Sequence, residues 1–193
     1  MAGRKTGMRH NKLHRASLYN ENRPKMKPIV SIIMGSTSDL PVMEKACQFF
    51  DEMEIPFEVN ALSAHRTPQE VSEFARNAQG RGIRVIIAGA GMAAALPGVI
   101  AAETPLPVIG VPIKGSCLEG LDATLAILQM PPGIPVATVA INGAQNAAIL
   151  AMQMLALGDD AMMQKLTAYK AGLKKKIVKA NEELAKLDYK YKV

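Results

Sequence analysis

A three-layer α/β fold, with a doubly wound parallel sheet and a long C-terminal helix, is what this 193-residue chain predicts. Three observations carry it. Apolar, β-branched runs recur without the in–out alternation of a half-solvated strand. Segments of helical period separate them. Three of the runs pass straight into short polar or glycine-rich stretches, as strands do where they turn into helices.

In chain order, PIVSIIMG (28–35) is a buried strand, followed by STSD and a helix with apolar Val42, Ala46, Phe49, Phe50 and Met53. FEVNALSA (57–64) is the second strand. Thr67-Pro68-Gln69-Glu70 has the form of a capping box with proline at the first helical position. The helix it opens buries Val71, Phe74, Ala75 and Ala78. RVIIAGAG (84–91) is the third strand, with a short Ala-rich helix after it. LPVIGVP (106–112) and GIPVATVAI (133–141) are the fourth and fifth. The whole is flavodoxin/Rossmann-like, and such sheets bind ligands outside the carboxyl ends of their strands.

The helix near 144–158, AQNAAILAMQMLALG, is small and apolar nearly all round, so it calls for cover on every side, including cover from another subunit. No membrane span is expected, because PPGIP, Asn and Gln interrupt the uncharged stretch from Ala123 to Gly158. From Asp160 onward, Met162, Leu166, Tyr169, Leu173, Ile177, Ala180, Leu184, Leu187 and Tyr191 form one amphipathic stripe. The expected organisation is a basic, disordered leader (1–25), an α/β domain (26–158), and a C-terminal helix (159–193) packing on a neighbouring subunit.

The net charge of +6 suggests a nucleic-acid binder until it is mapped along the chain. Residues 1–25 hold seven bases and one acid, residues 26–158 seven bases and eleven acids, and residues 159–193 nine bases and five acids. The central domain is therefore mildly acidic, and no aromatic residues interleave with the basic ones. Neither a nucleic-acid nor a membrane partner is expected. The leader has no apolar core and is not a secretory signal. Cys47 and Cys117 stand far apart with no metal-ligand spacing, which fits a reduced, cytoplasmic protein without a metal.

Three stretches carry candidate chemistry, and all three follow strands. GSTSD (35–39) offers backbone N–H groups and the hydroxyls of Ser36 and Ser38 to an anion, while Asp39 can accept from sugar hydroxyls. Plain N-capping explains the same residues equally well. SAHRTP (63–68) holds His65, the single histidine outside the leader. An imidazole titrates near neutrality and suits proton transfer. Arg66 beside it has the planar fork that grips phosphate or carboxylate. GAGMAAALPG (89–98) has no nucleophile and no acid, so it offers only backbone, either to a ligand or to tight packing. GxGxxG, GxxxxGK[ST] and GxSxG are absent. The set suits proton-transfer chemistry on a phosphorylated sugar derivative.

Taken in order with LPVIGVP and GLDATLAILQMPPGIPVATVAINGAQNAAILAMQML, these motifs resemble the N5-carboxyaminoimidazole ribonucleotide mutase family of de novo purine biosynthesis, bacterial type, over about residues 28–158. The resemblance implies an isomerase without a cofactor that moves a carboxylate from the exocyclic nitrogen to C4 of the imidazole ring. It implies His65 as the proton-transfer group, and Ser36, Ser38, Asp39, Ser63 and Arg66 as ligands of ribose and phosphate. Gly89, Ala90, Gly91 and Met92 would lie near the carboxylate, with Ala64 and Leu96 lining the same site. It also implies a homo-octamer. Many members of that family have His where this chain has Ala95, so His65 stands alone here. A related branch that carboxylates aminoimidazole ribonucleotide directly with CO2 typically has Lys after the histidine, where this chain has Arg66. Two other classes remain alternatives: a nucleotide-phosphate-binding module without turnover, and a purely structural oligomer.

Overall fold

The computed structural model describes residues 26–193; the leader expected at 1–25 lies outside them. Five parallel strands form one sheet: β1 (Val30–Met34), β2 (Phe57–Ala61), β3 (Val85–Gly91), β4 (Val108–Ile113) and β5 (Ala137–Thr138). Their spatial order is β2-β1-β3-β4-β5, the flavodoxin-like arrangement. Six α-helices connect and follow them: α1 (Leu40–Met53), α2 (Pro68–Ala78), α3 (Leu96–Glu103), α4 (Leu121–Leu128), α5 (Ala144–Ala156) and α6 (Asp160–Ala185). The chain steps from β1 outward to β2, then returns across β1 to place β3 on its other side. That reversal opens a crevice between the loops that follow β1 and β3.

Strand side chains alternate between two apolar layers. Val30, Ile32, Met34, Ile87, Val111 and Ile113 pack with α1, α5 and the start of α6. Ile33, Ile86, Ala88 and Val108 pack with α2, α3 and α4. Burial on both faces is why β1, β3 and β4 read as unbroken apolar runs. Phe49 and Phe50 carry the α1 side, and each fully buried side chain of this size contributes roughly 1.5–3 kcal/mol.

One expectation changes. The fifth strand keeps only two ladder residues of the nine expected. Pro135, inside that run, cannot donate to a ladder, and the segment lies at the sheet edge, where proline is tolerated. It still follows β4, through Val139 N–H to the Gly110 carbonyl (3.1 Å) and Asn142 N–H to the Pro112 carbonyl (2.8 Å).

The helix α5 packs one face on its own subunit and leaves Gln145 and Asn146 exposed, with Ile149, Leu150 and Met154 half-buried. Ala144, Ala147, Ala148, Ala151, Met152, Leu155 and Ala156 are all buried, between the sheet, α1 and α6. The start of α6 supplies part of that cover, so the tail folds back on its own domain before it leaves it. Leu166 is in the core, and the Tyr169 ring meets Phe49 edge-on at 5.2 Å. Lys165 donates to Glu54 (2.6 Å) and to the Met53 carbonyl (3.3 Å) at the end of α1. Beyond Gly172 the stripe is exposed at Leu173, Ile177, Leu184 and Leu187.

Candidate active site

The loops after β1, β2 and β3 meet at the carboxyl edge of the sheet, because Met34, Ala61 and Gly89 stand in register across the three strands. After β1, the hydroxyl of Ser36 accepts from Ser38 N–H (3.3 Å) and caps a short 3-10 turn over Thr37–Asp39. Capping therefore accounts for Ser36. It does not account for Asp39, which occupies the N-cap of α1 without making a side-chain cap bond. Its carboxylate takes a long bond from the Ser38 hydroxyl (3.5 Å). Burial pushes the Asp39 pKa above the ordinary aspartate value, against the pull of the Ser36 backbone N–H and the Ser38 hydroxyl. A partly desolvated carboxylate with few donors is suited to accept from a ligand's hydroxyls.

After β2, residues 63–67 close into a turn. The Thr67 hydroxyl accepts from Ser63 N–H (2.9 Å) and donates to the Ser63 carbonyl (3.1 Å). That engagement is why the capping box expected at Thr67–Glu70 does not form: Thr67 is the N-cap of α2 but makes no side-chain cap bond. The turn lifts Ala64, His65 and Arg66 over the strand ends, and His65 is exposed. Ala64 turns partly inward, against the α2–α3 layer. Arg66 ties two loops together. Its Nε donates to the Ser63 hydroxyl (3.3 Å), and a terminal guanidinium N–H donates to the Gly35 carbonyl (3.2 Å). The guanidinium is thereby held across the ends of β1 and β2.

After β3, the backbone does two different jobs. Gly89 serves packing: a Cβ there would lie 2.5 Å from the Met43 sulfur, and its carbonyl already accepts from Gly35 N–H (3.3 Å). Gly91 likewise makes room, for the Ile113 carbonyl, which would stand 3.1 Å from a Cβ. Ala90 and Leu96 are buried in the α2–α3–α4 layer, at 6% and 2% exposure. Leu96 was expected to line the site, but its side chain points into the core, and its main chain is what it can offer at the first turn of α3. Met92 is the residue that faces out. It is 64% exposed and adopts left-handed backbone (φ 56). Such a conformation costs a non-glycine residue roughly 1 kcal/mol or more and concentrates at functional sites. Two tight turns follow, Ala94 N–H to the Met92 carbonyl (2.9 Å) and Ala95 N–H to the Ala93 carbonyl (2.7 Å).

A fourth loop, after β4, was not among the expected site segments. A Cβ added at Gly115 would lie 3.5 Å from the Met92 side chain. Lys114 N–H donates to the Asn142 side-chain carbonyl (3.0 Å), and the Lys114 ammonium pairs with Glu119. KGSCLEG follows a strand and is polar and glycine-rich, the same signal that singled out the other three loops.

Residues 29–176 match the AIR carboxylase family. The N5-carboxyaminoimidazole ribonucleotide mutase of Pyrococcus horikoshii is 52% identical over 163 residues, covering 84% of this chain and 92% of that protein. The phosphoribosylaminoimidazole carboxylase of Saccharomyces cerevisiae is 51% identical over 164 residues, covering 85% of this chain but 29% of that longer protein. The crystal structure of Treponema denticola PurE superposes with a TM-score of 0.74 at 28% identity, over 81% of this chain and 98% of that one.

Proposed function

The chain belongs to the AIR carboxylase family, and from that premise we propose how it works. It is an isomerase of purine (IMP) biosynthesis that interconverts N5-carboxyaminoimidazole ribonucleotide and 4-carboxy-5-aminoimidazole ribonucleotide. The observation that carries this reading is the gathering of one imidazole, one tethered guanidinium and one desolvated carboxylate at the switch point of the sheet. Length supports it too. The mutase from Pyrococcus is matched nearly end to end, whereas the yeast carboxylase is matched over a minor part of its length.

In the proposed course, the bond between the exocyclic nitrogen and the carboxylate carbon breaks, leaving bound CO2 and aminoimidazole ribonucleotide. His65 protonates the departing nitrogen. C4 of the ring then attacks CO2, and His65 takes the C4 proton. One group that gives and then takes a proton leaves the reaction balanced and needs no other acid or base. Arg66, Ser36, Ser38 and Ser63 hold the phosphate and ribose, and Asp39 accepts from ribose hydroxyls. The main chain from Gly89 to Met92 lies near the carboxylate, and closure of the pocket retains CO2.

The direct experiment supplies the N-carboxylated ribonucleotide at low bicarbonate, without ATP or added metal, and follows the carboxyaminoimidazole chromophore. Conversion is the expected result. A clear kcat/KM preference for aminoimidazole ribonucleotide plus CO2 would instead assign direct carboxylation, the reading nearer to the carboxylase name of the yeast relative.

A cytoplasmic homo-octamer belongs to the same proposal. Its physical support is unpartnered apolar surface: Leu121, Leu125 and Leu128 on α4, and Leu173, Ile177 and Leu184 on α6, are all more than 40% exposed. Because Leu166 and Tyr169 serve the chain's own core, the informative truncation ends at Gly172. Light scattering should find a large assembly for the full chain and a smaller one for the truncated chain. A full-length monomer would remove the assembly, and an unchanged truncated assembly would remove the tail's part in it.

A further inference from the structure

We infer that Lys114 is a further substrate-binding residue, holding the carboxylate of the substrate from the side of the crevice opposite Arg66; the inference rests on the ribonucleotide reading above. The substrate is an anion at both ends, with a phosphate at one and a carboxylate at the other. The loops at the carboxyl edge carry two permanent cations among the described residues, Arg66 after β2 and Lys114 after β4. These strands flank the crevice at β1 and β3 from either side. Three interstrand steps of about 4.8 Å separate them, roughly 14 Å in all. Two long side chains reaching inward across that span can grip the two ends of one small anionic molecule.

Lys114 is also placed, rather than left loose on the surface. Ile113 pairs with Gly91, so the next residue of each strand, Lys114 and Met92, leaves the sheet edge side by side. Gly115 stands against the Met92 side chain. The Lys114 backbone is clamped by Asn142, itself in left-handed conformation (φ 57), through a 3.0 Å bond. Its ammonium is held by Glu119, a second left-handed residue (φ 55), in a pair exposed on both sides. Among the described residues, three of the four non-glycine residues with positive φ, Met92, Glu119 and Asn142, thus gather around this one lysine. In an exposed pair the glutamate is a weak partner, readily exchanged for the carboxylate of a ligand. The charge assignment follows from position: Arg66 is tied to Gly35 and Ser63, beside the serines, and Lys114 to the loop of Met92.

The test measures KM and kcat for Lys114→Gln, Lys114→Arg and Glu119→Gln, together with Kd for the uncarboxylated aminoimidazole ribonucleotide. Lys114→Gln should raise KM for the carboxylated substrate about ten- to a hundredfold, the scale of a lost charge-assisted contact, while leaving Kd for the uncarboxylated ribonucleotide unchanged. Lys114→Arg should recover part of the loss, and Glu119→Gln should not reproduce it. An unaltered KM in Lys114→Gln overturns the inference. So does a Kd that weakens in parallel, which would move Lys114 to the phosphate, and so does a Glu119→Gln variant with the same defect, which would make the pair a loop fastener. If the unsubstituted protein fails to convert the substrate, the functional reading falls first and the lysine inference falls with it.

Discussion

Arg66 separates binding from folding more sharply than any other residue at the carboxyl edge. Replacing it with alanine removes two guanidinium bonds, to the Ser63 hydroxyl at 3.3 Å and to the Gly35 carbonyl at 3.2 Å. Both are exposed and at or just beyond the long end of the usual range. Bonds of this kind contribute at most about 1 kcal/mol to net stability, or roughly 2–4 °C in Tm for a chain of this size. A guanidinium gripping a phosphate is worth more, about 1.5–3 kcal/mol, because both partners are charged. That corresponds to a rise in KM of roughly ten- to 150-fold. The assay is therefore double: thermal unfolding, and KM with kcat by the carboxyaminoimidazole chromophore. Arg66→Ala should lose binding and hardly any Tm. Arg66→Lys should also be impaired, because a point charge does not reproduce a planar fork. A Tm drop well beyond 4 °C with an unaltered KM would make Arg66 a structural tie between β1 and β2 and would refute its place in the site.

Three further outcomes are expected. His65→Asn should retain the fold and substrate affinity but lose turnover by about two to four orders of magnitude; near-normal kcat would exclude His65 as the proton-transfer group. Because burial raises the folded-state pKa of Asp39, the native protein holds that proton more tightly than the unfolded chain, and ionising it opposes folding. That penalty is absent in acid, grows as pH rises from the ordinary aspartate range through the raised folded pKa, and is full above it. Asp39→Asn should therefore raise Tm at neutral pH, with the gain fading toward acid; a gain that does not change with pH would exclude this origin. Gly110→Ala puts a Cβ 2.5 Å from the Ile127 methyl and 3.0 Å from that of Val136, so it should cost about 1–3 kcal/mol in urea unfolding, and an unchanged midpoint would show that α4 can move aside.

The class of fold and most of the carboxyl edge are legible in the residue pattern alone. Runs such as PIVSIIM and VIIAGAG are buried on both faces of the sheet, so their apolar character survives without alternation and is visible locally. GSTSD and SAHR were legible because polar residues directly after such runs have to fall where strands end. What escaped depended on partners remote in the chain. The glycines at 89 and 91 read equally as ligand backbone or as packing, and only Met43 and Ile113, distant in the chain, show that packing already requires them. Leu96 turned inward because α3 lies on the sheet, which no local pattern records. Thr67 gave up its expected cap bond to the turn at Ser63. The fifth strand loses its start beside Pro135, which has no N–H for an edge ladder. Only the packing shows that Leu166 and Tyr169 of α6 reach the core of their own subunit before the stripe runs out beyond it. Local chemistry writes periodicity and turn residues into the sequence, but the faces that meet are chosen only when distant segments compete for the same buried volume.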